Sequence, residues 1–213
     1  MNLIRFGFRL LYNELAWTYD VVSWAVSLGA WRDWQRAALP HVRGRVLELG
    51  HGPGHMLVAL QLAGHAVVGL DASPFMGRLA RRRAPSAPLL RGMAQQLPFA
   101  NGRFDTVLAT FPTPYVVEAV TLREVWRVLG ADGRLVIVPV AYLDGRDPVT
   151  RLLEWLYRVT GQRGEERMRG ETAVAFYQPF IDRLTAAGFY IVVHTVRLSH
   201  SHAVVLVCTK TEN

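Results

Sequence analysis

The chain has 213 residues, 51% of them apolar and 19% charged, which fits one globular domain with a sizeable core and excludes intrinsic disorder. Its single cysteine, Cys208, excludes an internal disulfide and a cysteine zinc cluster, and suits a reducing compartment. The net charge is +7 and the pI near 10.2, but 23 of the 24 basic residues are arginines spread along the chain, with Arg81-Arg82-Arg83 the one block. That dispersion reads as solubility and surface ion pairing, so nucleic acid is not an expected partner.

Residues 1–44 read as a helical cap rich in aromatic side chains, among them Trp17, Tyr19, Trp24, Trp31 and Trp34, and Pro40 marks its end. Its uncharged run Val21–Trp31 covers 11 residues, short of the roughly 20 that span a bilayer. The N-terminus also has no small-residue cleavage site of a secretory signal, so a cytoplasmic location is expected. Over residues 45–140 short apolar runs alternate with helical stretches. Strands are expected at Arg45–Leu49, Ala66–Leu70, Thr106–Thr110 and Leu135–Pro139, and helices at Met56–Ala63, Pro74–Arg83 and Tyr115–Leu129. This alternation implies βαβ units, a parallel sheet and helices on both of its faces. Residues 141–177 read as an insertion or lid, polar over 144–170 with one short amphipathic helix, Val149–Val159. Residues 178–213 supply a helix, Gln178–Ala187, stopped by Gly188, and two strands, Tyr190–Leu198 and Ala203–Lys210. The short SHSH joint between those strands makes them an antiparallel hairpin. The expected fold is α/β: a doubly wound sheet of about seven strands in a single domain, mostly parallel, with the antiparallel hairpin strand and the N-terminal cap added.

The segment VLELGHGPGHM, residues 46–56, ends the first strand in three glycines. Glycines there let the backbone turn sharply and approach a ligand at the carboxyl edge of a parallel sheet. A dinucleotide fingerprint, G-x-G-x-x-G, needs its third glycine at position 55, which is His55. The loop instead reads E-x-G-x-G-x-G, Glu48 through Gly54, and resembles motif I of the class I S-adenosylmethionine (SAM)-dependent methyltransferases. Three more stretches resemble the same family in order: VVGLDASPFM, GMAQQLPFANGRFDTVLAT and EVWRVLGADGRLVIVPV, together covering about residues 45–140. The resemblance implies a Rossmann-like fold, SAM as cofactor and S-adenosylhomocysteine as product. It places Gly50, Gly52 and Gly54 around the methionine end, with His51 in the same loop, where packing against the N-terminal cap is its expected use. Glu48 is a structural carboxylate that accepts from loop amides or from the methionine amine. Asp71, 21 residues after Gly50, falls on the ribose hydroxyls, with Ala72 and Met76 in the turn that follows. Met93, Ala94 and Gln95 fall beside the adenine, and Thr110 at the end of the fourth strand. Met93 stands where the family often has an acid to hold the adenine amine, so ring packing by a thioether replaces that hydrogen bond. The N-terminal YNELAWTYDVVSWAVSLGAWRDWQ resembles the cap of the ubiquinone/menaquinone-biosynthesis methyltransferase group, which sets Tyr19 over the cofactor.

Methyl transfer from a sulfonium is an in-line displacement, so the protein mainly aligns nucleophile, methyl carbon and sulfur. A general base is needed only for a carbon acid, a phenol or a protonated amine. His200, His202 and Tyr115 are the candidates for such a role. FPTPY, residues 111–115, lacks the Asn or Asp that accepts from an amine, so Phe111, Tyr115 and Tyr142 are expected to wall an apolar, aromatic or lipid-like acceptor. Packing under the loop explains either ring of FPTPY equally well. No metal is expected, since no third ligand accompanies the two histidines. The N-terminal MNLIRFGFRLLY combines apolar bulk with Arg5 and Arg9 and suits a peripheral membrane contact; closing the cofactor pocket is the alternative use. Two rival functions follow from the same residues: an NAD-dependent oxidoreductase, and a non-catalytic SAM- or nucleic-acid-binding module. The acceptor, the atom methylated and the oligomeric state are open at this level.

Overall fold

A computed structural model describes residues 23, 24, 27–144 and 171–211, the side chains of 171–177 excepted. Tyr19, the segment MNLIRFGFRLLY and the expected helix Val149–Val159 lie outside the described residues. The described chain runs α1 (Trp31–Arg36), a 3-10 turn (Leu39–His41), β1 (Arg45–Leu49), α2 (His55–Leu62), β2 (Ala66–Asp71), α3 (Pro74–Arg83) and β3 (Leu89–Arg91). It continues with β4 (Phe104–Thr110), a second 3-10 turn (Pro114–Val117), α4 (Ala119–Val128), β5 (Leu129–Leu143), α5 (Glu171–Ala186), β6 (Phe189–Arg197) and β7 (Ser201–Lys210).

The seven strands form one sheet in the order β3-β2-β1-β4-β5-β7-β6. Pairing is parallel from β3 to β5, and β7 is antiparallel to both β5 and β6. The chain steps outward from β1 to β2 and β3, then returns to the other side of β1 for β4 and β5, so the order reverses between β1 and β4. Ligands of open α/β sheets bind at the carboxyl ends of the strands beside such a reversal.

Strands β1, β4 and the middle of β5 are mostly apolar because both of their faces are covered. Leu47, Leu49, Val107, Ala109, Leu135 and Ile137 pack toward α4 and α5. Val46, Leu108, Val136 and Val138 pack toward α1, α2 and α3. Helix α3 begins with Pro74 in its first turn and Ser73 as cap, whose Oγ accepts from the Met76 amide at 3.3 Å. Trp34 of α1 donates its indole N–H to Ser201 Oγ at 2.9 Å, both groups buried, which ties α1 to the start of β7.

Several boundaries differ from the sequence expectation, among them α5, which starts at Glu171 and not at Gln178, and β4 and β7, which each start two residues early. β3 is an added strand of only three residues, Leu89–Arg91, paired with Gly69–Asp71. The helix expected over Tyr115–Leu129 opens as the 3-10 turn Pro114–Val117 and becomes α only from Ala119, ending at Val128. β5 then starts at once at Leu129 and runs 15 residues to Leu143, beyond Leu135–Pro139 and past residue 140. The turn-like GADG inside it is accommodated by a register shift between Phe104 and Thr106 on β4.

Candidate cofactor and acceptor site

A cavity of about 330 Å³ lies at the carboxyl ends of β1, β2 and β4, at the low end of the roughly 300–1,000 Å³ usual for small-molecule sites. The glycine loop forms one wall, and each of its glycines has a positive φ. At Gly50 a Cβ would stand 2.8 Å from the Tyr115 hydroxyl, so a side chain there collides with the opposite wall. At Gly52 a Cβ would meet nothing within 4 Å, and the open space belongs to the cavity that this residue lines. At Gly54, the N-cap of α2, a Cβ would sit 3.0 Å from Ala80 Cα, so this glycine serves the contact of α2 with α3 and not the cavity.

Asp71 ends β2 and clasps the loop: one carboxylate oxygen accepts from the Gly52 amide at 2.9 Å and the other from the Ser73 amide at 2.8 Å. Each oxygen keeps acceptor capacity for a hydroxyl in the cavity. Arg83 Nη1 donates to Pro53 O at 2.6 Å and closes the outer side of the loop. His51 is buried, its Nδ1 lies 2.7 Å from Gly52 O, and its ring rests over Gly69 of β2.

Of the residues expected around a cofactor, Gly50, His51, Gly52, Asp71, Ala72, Met93, Ala94, Gln95 and Thr110 line the cavity. Met93 is 61% exposed there, free to pack against a planar group. Gln95 Nε2 donates to Glu118 Oε2 at 2.8 Å, which leaves its amide oxygen as the group able to accept from an amine. Glu48, Gly54 and Met76 stand outside the lining; Met76 is fully buried on the inner side of α3. Glu48 is buried behind the loop, and burial first, then the Asp71 carboxylate, pushes its carboxyl well above the usual range. Its Oε2 has no hydrogen-bond partner among the described residues.

The wall facing the glycine loop is aromatic. Phe111 and Tyr115 line the cavity, and Phe111 holds φ at 49°, a left-handed conformation rare for a bulky residue. Its ring stacks on Trp31 of α1 at 4.3 Å, and Trp34 stands 6.1 Å from it. Tyr142 does not reach this cavity. It pairs across β5 and β7 with His202, their rings 5.0 Å apart, and His202 Nδ1 lies 2.6 Å from Asp144 Oδ1. His200 is exposed at the hairpin tip, where its carbonyl accepts from the Asp144 amide at 2.8 Å.

Gln35 lines the cavity and sequence reading missed it. Its Nε2 donates to Thr110 Oγ1 at 3.1 Å, and its buried Oε1 has no partner among the described residues. The four-residue step from Trp31 puts both on one face of α1, which is the signal that marks it. Among the described residues no three His, Cys, Asp or Glu side chains are grouped to hold a metal ion. No helix among them is long and apolar enough to cross a membrane.

The groups fit SAM: a carboxylate for the ribose hydroxyls, an open glycine backbone, and in the lining a buried acceptor without a partner among the described residues, Gln35 Oε1. A family described as a methyltransferase domain matches residues 47–137. A ubiquinone/menaquinone biosynthesis C-methyltransferase of Geotalea uraniireducens is 33% identical over 60% of this chain, and the chain spans 60% of that relative's length. A demethylmenaquinone methyltransferase of Deinococcus radiodurans is 30% identical over 84% of this chain and 83% of its own. A solved SAM-dependent methyltransferase of Thermotoga maritima, described as a possible histamine N-methyltransferase, superposes with a TM-score of 0.63 at 21% identity, covering 94% of this chain and 99% of that one. With the sheet order, the glycine loop and Asp71 in place, the chain belongs to the class I SAM-dependent methyltransferases, alongside the ubiquinone/menaquinone-biosynthesis enzymes.

Proposed function

We propose that this chain transfers a methyl group from SAM to a carbon of a quinone-like aromatic ring carrying an apolar substituent. Bound SAM supplies the electrophilic methyl carbon and its own leaving group. The observation that carries the acceptor class is the aromatic wall of Phe111 and Tyr115, which faces the same cavity as the glycine loop and is braced by Trp31. A flat apolar ring gains offset stacking there. The names of the relatives point to the same class of acceptor.

In this reading Gly50 and Gly52 admit the methionine end, Asp71 accepts from the ribose hydroxyls, and Met93, Ala94 and Gln95 flank the adenine. Gln35 accepts from the cationic end, Glu48 supports the loop from behind, and Tyr19 closes over the cofactor. A ring carbon is nucleophilic enough only when its hydroxyl is deprotonated, so a base is useful. Of the three candidates only Tyr115 lines the cavity. His202 stands outside the lining at the same end of the sheet, with Asp144 at its Nδ1 and Nε2 left to take the proton of an acceptor that reaches it. The N-terminal MNLIRFGFRLLY is the peripheral membrane contact that brings a lipid-soluble acceptor within reach.

The test is transfer of radiolabelled methyl from SAM to a reduced demethylquinone, with histamine as the amine control. Label in the quinone alone is expected; label in the amine alone overturns the acceptor class. Calorimetry with SAM and NAD in parallel separates the oxidoreductase reading, because binding of NAD alone refutes the proposal. His202→Gln is expected to lower kcat on the order of 100-fold with KM little changed. Unchanged kcat removes His202 from the reaction.

A further inference from the structure

We propose that the groove between α3 and β3 is a second binding site, for a phosphate group carried on an apolar molecule. A cavity of about 420 Å³ opens there and shares His51, Asp71 and Ser73 with the cofactor cavity. One stripe of α3 forms its side, with Gly77, Arg78, Arg81 and Arg82 at helical spacing, and Leu89, Leu90 and Arg91 of β3 face that stripe. Four guanidinium groups therefore surround an apolar floor.

The charge around the groove is unbalanced. Residues 72–104 contain six arginines, at 78, 81, 82, 83, 91 and 103, and no Asp or Glu, so this stretch carries most of the chain's net +7. Three arginines elsewhere have carboxylate partners: Arg36 with Asp33 at 3.4 Å, Arg45 with Asp105 at 3.1 Å and Arg127 with Glu124 at 2.8 Å. Here Arg78 lies over the Phe75 ring at 4.8 Å, and Arg91 Nε donates to Ala72 O at 3.3 Å. Arg81 and Arg82 have no carboxylate partner among the described residues. Asp71, at one end, already accepts from two loop amides.

Gly77 supplies an independent observation. A glycine inside a helix weakens it relative to alanine, so it calls for a reason in packing or binding. Packing gives none, since a Cβ at Gly77 would meet nothing within 4 Å. What the glycine does is keep the groove open between Pro74 and Arg81. Guanidinium groups match phosphate oxygens two at a time, and Leu89 and Leu90 offer a bed for the apolar remainder. The ligand is either a free alkyl phosphate or diphosphate, or the headgroup of an acidic phospholipid.

The test uses the full chain with two probes, inorganic pyrophosphate by calorimetry and vesicles of phosphatidylcholine with and without phosphatidylglycerol by sedimentation. Wild type is expected to bind pyrophosphate or the anionic vesicles. Gly77→Leu, which fills the groove and keeps every charge, and Arg81→Gln/Arg82→Gln are each expected to weaken binding at least tenfold with SAM affinity unchanged. Gly77→Ala is expected to retain binding and guards against a folding artefact. Pyrophosphate that binds and competes with vesicles marks a free phosphate as the natural source; vesicle binding that pyrophosphate leaves intact marks the headgroup. Failure of both probes to bind wild type overturns the proposal, as does equal binding by Gly77→Leu and wild type. RNA binding that the groove variants leave unaltered, with neither phosphate probe bound, overturns it too.

Discussion

Gly50, Gly52 and Gly54 share a backbone conformation but face three different neighbours, and substitution separates their roles. Alanine at position 52 has room around its Cβ and bears mainly the left-handed backbone penalty of about 1–2 kcal/mol. Alanine at position 54 adds a clash with the backbone of α3 at 3.0 Å. Gly54→Ala is therefore expected to lose clearly more stability in denaturant unfolding than Gly52→Ala, while Gly52→Ala loses more SAM affinity relative to its stability cost. The reverse order would place Gly54, and not Gly52, against the ligand. Glu48 allows a second residue-level test. Its folded carboxyl keeps its proton to higher pH than in the unfolded chain, because burial and then Asp71 oppose ionisation. The folded state therefore binds the extra proton: its contribution is complete below the ordinary value of 4.5 and declines as pH rises through the folded value. Glu48→Gln is expected to remove that decline, so its unfolding free energy gains on wild type as pH rises from about 5 to 8. A constant difference across the range would mean that Glu48 is ionised in the folded protein.

Elements meet across the sheet through a second titrating contact. The 3-10 turn Leu39–His41 reaches the edge strand β6, where the His41 and His194 rings lie 4.3 Å apart. Arg134 Nη1 also reaches His41 O at 3.4 Å. Burial first, then His194 and Arg134, hold the His41 pKa below its ordinary 6.5. Its contribution is present above the unfolded value and lost as pH falls through the folded one. Amide exchange in β6 around His194 is expected to accelerate relative to β1 below about pH 6.5, and His41→Gln to abolish that difference. How legible the elements were in the sequence follows from how local their causes are. β1 and β4 were legible because covering on both faces demands mostly apolar residues, and α3 because Ser73 and Pro74 announce its start. β3 was not, since three residues carry no period, and the first half of β5 hid behind GADG because its pairing depends on a shift in β4. The glycine loop and Asp71 were readable as neighbouring motifs of one βαβ unit. Gln35 enters the cavity only because Trp34 anchors α1 to Ser201, 167 residues away, and the partner of His202 lies 58 residues back at Asp144. Such long-range juxtapositions leave no local pattern.

At the scale of the whole molecule, the cavity is a seam between the two halves of the sheet. β2 and the β3 loop supply Asp71 and Met93 on one side of the reversal, β4 supplies Thr110 and Phe111 on the other, and α1 lays Gln35 across the top. A ligand that touches all of these binds only the folded chain, because unfolding separates every contact at once. Stabilisation then follows mass action: SAM at 100 times its dissociation constant adds about 2.7 kcal/mol. For a domain of this size each kcal/mol raises Tm by roughly 2–4 °C, so saturating SAM is expected to raise Tm by about 5–11 °C. NAD at equal concentration is expected to leave Tm unchanged, because position 55 is histidine where the dinucleotide loop needs glycine. Gly52→Ala is expected to lose most of the SAM shift while remaining folded. Differential scanning calorimetry with each ligand checks all three outcomes. A shift with NAD and none with SAM would mean that the cavity, though correctly placed in the sheet, serves another cofactor.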